Sequence, residues 1–164
     1  MENELSSGQA MLDKQILGIE DSEIDDKGRV RVSTKKKNAI GENFTIALLP
    51  VGCIAIYPKV VWDRRVAEVL NTPASNPARE EKLRTMGSFA EEGSKFDQSG
   101  RFVIPQWLRI AADMDDGEVL LVGCVDHLEM WRKDEFTKYR KNPEQYARER
   151  RDYDEKIWER VMSR

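Results

Sequence analysis

Apolar and polar positions alternate on either side of a short polar bend that occurs twice in this chain. The first bend is Asp25-Asp26-Lys27-Gly28-Arg29-Val30, and the second is Asp97-Gln98-Ser99-Gly100-Arg101-Phe102-Val103-Ile104-Pro105. In each, Asp can hydrogen-bond its own backbone two residues on and Gly supplies a positive φ, so D-x-x-G predicts a tight turn between strands, with an arginine leaving it. Ile16-Leu17-Gly18-Ile19 and Ile24 predict the strand entering the first turn. Val30-Arg31-Val32 alternates apolar and basic as it leaves, which turns Arg31 away from the core. Ser33 and Thr34 are candidate caps for a short helix over 35–40 that ends near Gly41. Two further strands, 44–49 and 53–57, flank the Pro50-Val51-Gly52 bend. The second half repeats this order: strand, turn, strand, a short helix after Pro105, an Asp115-Asp116-Gly117 turn and a hairpin over 119–131. Val51-Gly52-Cys53 is answered by Val122-Gly123-Cys124, and blocks matched in the same order are the mark of an internal duplication.

Helical periods fill the remainder. Pro58 opens a helix over 59–70 that sets Trp62, Val66, Val69 and Leu70 on one face, expected to reach the core. The Asn- and Pro-rich stretch 71–77 is the clearest linker, and a helix over 78–90 follows, with Leu83 and Met86 on one side. Beyond Trp131 the chain is highly charged; Asp134 is a candidate cap before Phe136 and Tyr139, and Pro143 restarts the helix. Tyr146, Tyr153, Ile157 and Val161 then form a narrow apolar stripe, suited either to packing on the chain's own domain or to a subunit contact. The division expected is a flexible arm 1–15, a first repeat 16–70, a linker and helix 71–92, a second repeat 93–141 and a charged carboxyl-terminal helix 142–164.

Composition narrows the function. With 40% hydrophobic and 35% charged residues over 164 positions, the chain reads as globular with a very polar surface. No apolar run approaches the roughly 20 residues that span a bilayer, and Met1-Glu2-Asn3-Glu4 lacks a signal peptide's pattern, so no membrane partner and a cytoplasmic location are expected. The net charge of −3 counts against a generic basic nucleic-acid binder. Its distribution counts the other way, since 27–37 carries Lys27, Arg29, Arg31, Lys35, Lys36 and Lys37 with no acidic residue. Cys53 and Cys124 sit at equivalent repeat positions, as small buried hydrophobes or close enough to pair. The single histidine, His127, has no partner motif, and no zinc, nucleotide or dinucleotide signature occurs, so neither an enzyme nor a cofactor or metal is expected. Asn43-Phe44-Thr45 matches a glycosylation acceptor only by chance.

The tandem D-x-x-G-R turns, Gly-Arg-Phe-Val-Ile-Pro at 100–105, Gly52-Cys53 leading to Ile56-Tyr57-Pro58, Val122-Gly123-Cys124 and Glu129-Met130-Trp131 together resemble MraZ, the two-repeat branch of the SpoVT/AbrB-like transcription factors. The resemblance covers 16–139. It implies an α+β fold in which two tandem SpoVT/AbrB-like, swapped-hairpin-type units form one pseudo-twofold β-barrel with flanking helices. It further implies a homo-oligomeric ring, double-stranded DNA as partner, association with the nucleoid, and a transcriptional regulator that typically represses its own cell-division and cell-wall gene cluster. One departure stands out: Ile104-Pro105 in the second repeat is answered by Val32-Ser33 in the first.

On this reading Arg29 and Arg101 enter the major groove or its phosphate rim, because the planar guanidinium fork matches guanine O6 and N7. Asp25, Gly28, Asp97 and Gly100 shape the turns. Lys27, Arg31, Lys35, Lys37 and Arg109 are candidate phosphate clamps, with Lys37 and Arg109 at corresponding repeat positions. A different class also fits, an oligomeric protein-interaction module whose basic run is a solvated face. A single-stranded nucleic-acid binder would need exposed aromatics, and only Phe102 and Trp107 are placed for that.

Overall fold

A computed structural model describes residues 14–115, 117–149, 159, 162 and 163. Its strands are β1 (Ile19–Ile24), β2 (Arg29–Arg31), β3 (Phe44–Leu48), β4 (Ile54–Tyr57), β5 (Ala90–Ser94), β6 (Arg101–Val103), β7 (Gly117–Gly123) and β8 (Leu128–Arg132). The helices are α1 (Thr34–Ile40), α2 (Lys59–Leu70), α3 (Pro77–Ser88), α4 (Gln106–Ala112), α5 (Lys133–Lys141) and α6 (Pro143–Glu149).

All eight strands join one antiparallel sheet in the order β5-β3-β4-β8-β7-β1-β2-β6. The order shows a swap. β1 of the first half pairs with β7 of the second, Ile19 opposite Val122 through Ile24 opposite Gly117, while β5 of the second half pairs with β3 of the first. The pairs β2·β6 and β4·β8 join equivalent strands across a pseudo-twofold axis. The sheet thus closes into a nearly complete barrel, open only between β5 and β6. Even there the joining turn is tied by an Asp97 N–H donating to the Arg101 carbonyl at 2.7 Å. This is the α+β, pseudo-twofold barrel that the resemblance implies.

Inward positions fill the barrel with Val30, Phe44, Ile46, Phe102, Ile104, Leu108, Leu121, Leu128 and Met130, all fully buried. Phe44, Phe96 and Phe102 meet with ring centroids 4.6–5.8 Å apart, placing an aromatic cluster beside the open seam. Strand β3 is buried at every position because α2 covers its outer face.

Several local expectations are corrected. On α2 the buried residue is Val61, not the face of Trp62, Val66, Val69 and Leu70, and Leu70 is 51% exposed. The cause lies beneath it: Ala47 and Ala55 are opposite each other on β3 and β4, and so small a landing site takes one helix edge. Ser33 occupies the N-cap of α1 without a side-chain cap bond; its N–H instead donates to Glu20 Oε1 at 3.2 Å. Arg132, not Asp134, is the N-cap of α5. Both cysteines are free, and both lie just outside the strands expected to hold them. Tyr146 is buried against Trp131 and Tyr139, whereas Tyr153, Ile157 and Val161, like nearly all of the arm 1–15, lie outside the described residues.

Candidate nucleic-acid interface

Each D-x-x-G-R turn is built around its carboxylate. Asp25 Oδ1 accepts the N–H groups of Lys27 and Arg29, both at 2.9 Å, and Asp25 Oδ2 accepts Arg29 Nε at 2.6 Å. Asp97 Oδ1 likewise accepts Ser99 N–H at 2.8 Å and Arg101 N–H at 2.9 Å, and Oδ2 accepts Arg101 Nε at 3.0 Å. Gly28 and Gly100 close the turns at φ 76° and 74°. The backbone N–H of Arg29 holds the Asp25 carboxyl below the usual carboxylate range, ahead of the opposing desolvation and the arginine side chain. The Arg101 N–H does the same for Asp97.

Because the carboxylate takes the Nε–H of each arginine, the two terminal amino groups of the guanidinium face away from that bond. A fork held this way is pre-organised, and its free edge is the edge that reads guanine end-on. The arginine side chains are 27% and 28% exposed.

The β2·β6 pair joins the two turns into one ribbon on the pseudo-twofold axis. Arg29 stands opposite Val103, Val30 opposite Phe102 and Arg31 opposite Arg101. Val30 and Phe102 point into the core, so Arg29, Arg31, Arg101 and Val103 share the outer face. Like charges opposite each other on a sheet repel, and here Asp97 steadies Arg101 while the Ser99 carbonyl accepts Arg31 Nη1 at 3.4 Å. Two backbone bonds lock each turn to the other repeat: Val32 N–H to Gly100 O at 3.0 Å and Ile104 N–H to Gly28 O at 2.9 Å.

The other sequence candidates divide into two groups. Lys27 at the first turn and Lys35 on α1 are exposed, and neither they nor Lys37 close an ion pair with a described residue. Lys37 and Arg109 each pack over the glycine of the opposite turn: a Cβ on Gly100 would lie 3.8 Å from Lys37 Cδ, and one on Gly28 would lie 2.7 Å from Arg109 Cζ. The structure does not bring Arg109 out to the basic face. Its side chain is 14% exposed, with Nε on the Ile104 carbonyl at 3.1 Å and Nη1 on Asp115. Lys36 pairs with Glu20 at 3.4 Å.

Phe102 is 1% exposed, and Trp107 packs against the core with Nε1 donating to Glu91 at 3.1 Å, so neither offers a stacking platform. The only described group of His, Cys, Asp and Glu side chains close enough to hold a metal is Cys124, His127 and Glu129, outside the ribbon, in the β7–β8 loop and at the start of β8. Sequence reasoning missed it, although the C-x-x-H-x-E spacing was there to be read. Among the described residues no helix is long and apolar enough to cross a membrane.

Comparison with known proteins follows the same lines. A family profile described as "MraZ protein, putative antitoxin-like" matches residues 90–156. The chain is 32% identical over 113 residues to a protein of Lachnoclostridium phytofermentans named transcriptional regulator MraZ, covering 69% of this chain and 78% of that one. It is 32% identical over 118 residues to one of the same name from Pediococcus pentosaceus, covering 71% and 80%, and 31% identical over 116 residues to another from Finegoldia magna, covering 71% and 80%.

Proposed function

The chain belongs to the MraZ family, and from that premise we propose that it is a transcriptional regulator that binds double-stranded DNA in a sequence-specific manner. The observation that carries this reading is the ribbon: Arg29, Arg31 and Arg101 on one outward face, flanked by two rigid Asp–Gly turns. Arg29 and Arg101 read base edges, and Lys27, Arg31, Lys35 and Lys37 clamp phosphates around them. Arg109, braced over Gly28, supports this surface from behind. The repeats 16–70 and 93–141 are the two units that supply the turns.

One chain offers a single ribbon and a net charge of −3, so a lone subunit binds weakly. A ring of copies on repeated short DNA boxes multiplies the contacts through effective concentration. Exposed Leu17, Ile19, Val60, Leu70 and Val125 provide apolar surface for such assembly. Repression of the protein's own cell-division and cell-wall gene cluster, in the cytoplasm at the nucleoid, completes the reading.

The test is a gel-shift titration on the gene's own upstream DNA against a scrambled duplex, with the Arg29→Ala/Arg101→Ala variant alongside. Preferential binding lost in the variant, at about 1–3 kcal/mol per arginine per site, with assembly unchanged by light scattering, is the expected result. Unchanged operator affinity in the variant removes both arginines from the reading surface. No preference by the intact protein favours the protein-interaction module instead.

A further inference from the structure

The loop between β7 and β8 takes a conformation that its sequence does not favour. Cys124 N–H donates to the His127 carbonyl at 2.9 Å, and Asp126 N–H donates to the Cys124 carbonyl, also at 2.9 Å. The second bond closes a γ-turn centred on Val125, whose φ of 71° puts a β-branched residue in the left-handed region. This is the rare, strained form of the turn, and strain of this kind persists where the surroundings enforce it. Its effect is to gather the Cys124 thiol, the His127 imidazole and the Glu129 carboxylate, with one donor atom from each, all within 4.8 Å of one another.

The supporting contacts resemble those that orient metal ligands. His127 Nε2 lies 3.0 Å from Glu129 Oε2, while Nδ1 lies 2.6 Å from Asp126 Oδ1, a carboxylate placed to fix the ring's tautomer and orientation. Trp131 Nε1 donates to the other Glu129 oxygen at 3.0 Å and fixes that carboxylate in turn. Tyr57 stacks on the imidazole at 5.0 Å and walls the site, and Cys53 is buried nearby.

We propose that Cys124, His127 and Glu129 bind a zinc-class divalent metal ion. Thiolate, imidazole and carboxylate together suit zinc, whereas magnesium and calcium take all-oxygen shells. Zinc bond lengths to nitrogen and oxygen set a donor-to-donor edge of about 3.3 Å, a few tenths beyond the Nε2–Oε2 separation, so a small spreading of the side chains admits the ion. Binding releases the thiol proton and any proton carried on Nε2 to solvent, and Nδ1–H stays on Asp126. The ion pins the β7–β8 loop to β8 and leaves the arginine ribbon untouched, so this site stands or fails independently of DNA binding.

The experiment titrates zinc into the full-length protein against a chromophoric chelator, then repeats it with cobalt. One zinc per chain, and a thiolate-to-cobalt charge-transfer band in the near ultraviolet, are expected. Cys124→Ser, which keeps the size of the side chain, weakens zinc at least about tenfold and removes the band, and His127→Asn weakens zinc similarly while cobalt bound at saturation keeps its thiolate band. Failure of the intact protein to hold zinc against the chelator overturns the proposal. So does a folded Cys124→Ser variant that binds as tightly as the parent, and this second variant keeps the test decisive even where His127→Asn does not fold.

Discussion

The two turn-bearing units share a backbone and differ in what they hang on it. Both begin with Asp accepting two N–H groups, both close on a left-handed Gly, and both hold their Arg by Nε. Outside that frame the first unit places Lys27, Arg31, Lys35 and Lys37 where the second has Ser99, Val103, Trp107 and Arg109. The arginine that follows the turn is thus the element common to both units, and the additional positive charge is concentrated on one side of the axis. A dimer of identical units could not divide the work in this way; a duplicated chain can.

The comparison breaks most severely at the glycines. Gly28→Ala and Gly100→Ala each force alanine into a left-handed conformation, at about 1–2 kcal/mol, but their neighbours respond differently. The new methyl at 100 meets the Val32 carbonyl at 3.3 Å, a backbone atom, whereas at 28 it meets the Arg109 guanidinium. Arg109→Ala should therefore recover part of the Gly28→Ala loss and none of the Gly100→Ala loss, as read by denaturant midpoints. Equal behaviour of the two double variants would mean that Arg109 is not braced on the turn.

A smaller effect sharpens the electrostatic difference. Arg31→Val gives the first ribbon strand the second's pattern, and it should lower the log–log salt slope of DNA binding by about 0.9; Val103→Arg should raise it by a similar amount. A slope that ignores both changes would take these outer positions off the phosphate backbone.

The smallest effect is one the units share. The carboxyls of Asp25 and Asp97 are depressed in the fold below their ordinary 3.8, so the turn stabilisation they give is present above that value and lost as pH falls through the folded one. Amide resonances of Gly28 and Gly100 should move together in acid, and Asp25→Asn should silence the first without the second.

Much of this comparison was legible in the residues. D-x-x-G specifies its turn through local bonds alone, and Val30-Arg31-Val32 declares which side chains face out. The opposed placement of Arg31 and Arg101 was not legible, because it depends on pairing between strands far apart in sequence. Arg109 could be matched to Lys37 by the repeat, yet nothing local says that its guanidinium lies over Gly28. The Cys124–His127–Glu129 cluster was hidden for another reason: its donors converge only because Val125 adopts a conformation that propensity argues against.

The exchange of strands between halves also sets a timetable for synthesis. β1 meets β2 of its own repeat at the single pair Ile24 and Val30, and its full length is matched only by β7, with Ile19 opposite Val122, so the first repeat leaves the ribosome with an edge that its own residues do not cover. Unpaired edges invite other chains, and pairings so distant in sequence form slowly. Glu20, Asp21 and Glu23 give that waiting strand three like charges, a composition that disfavours its pairing with the same strand of another copy.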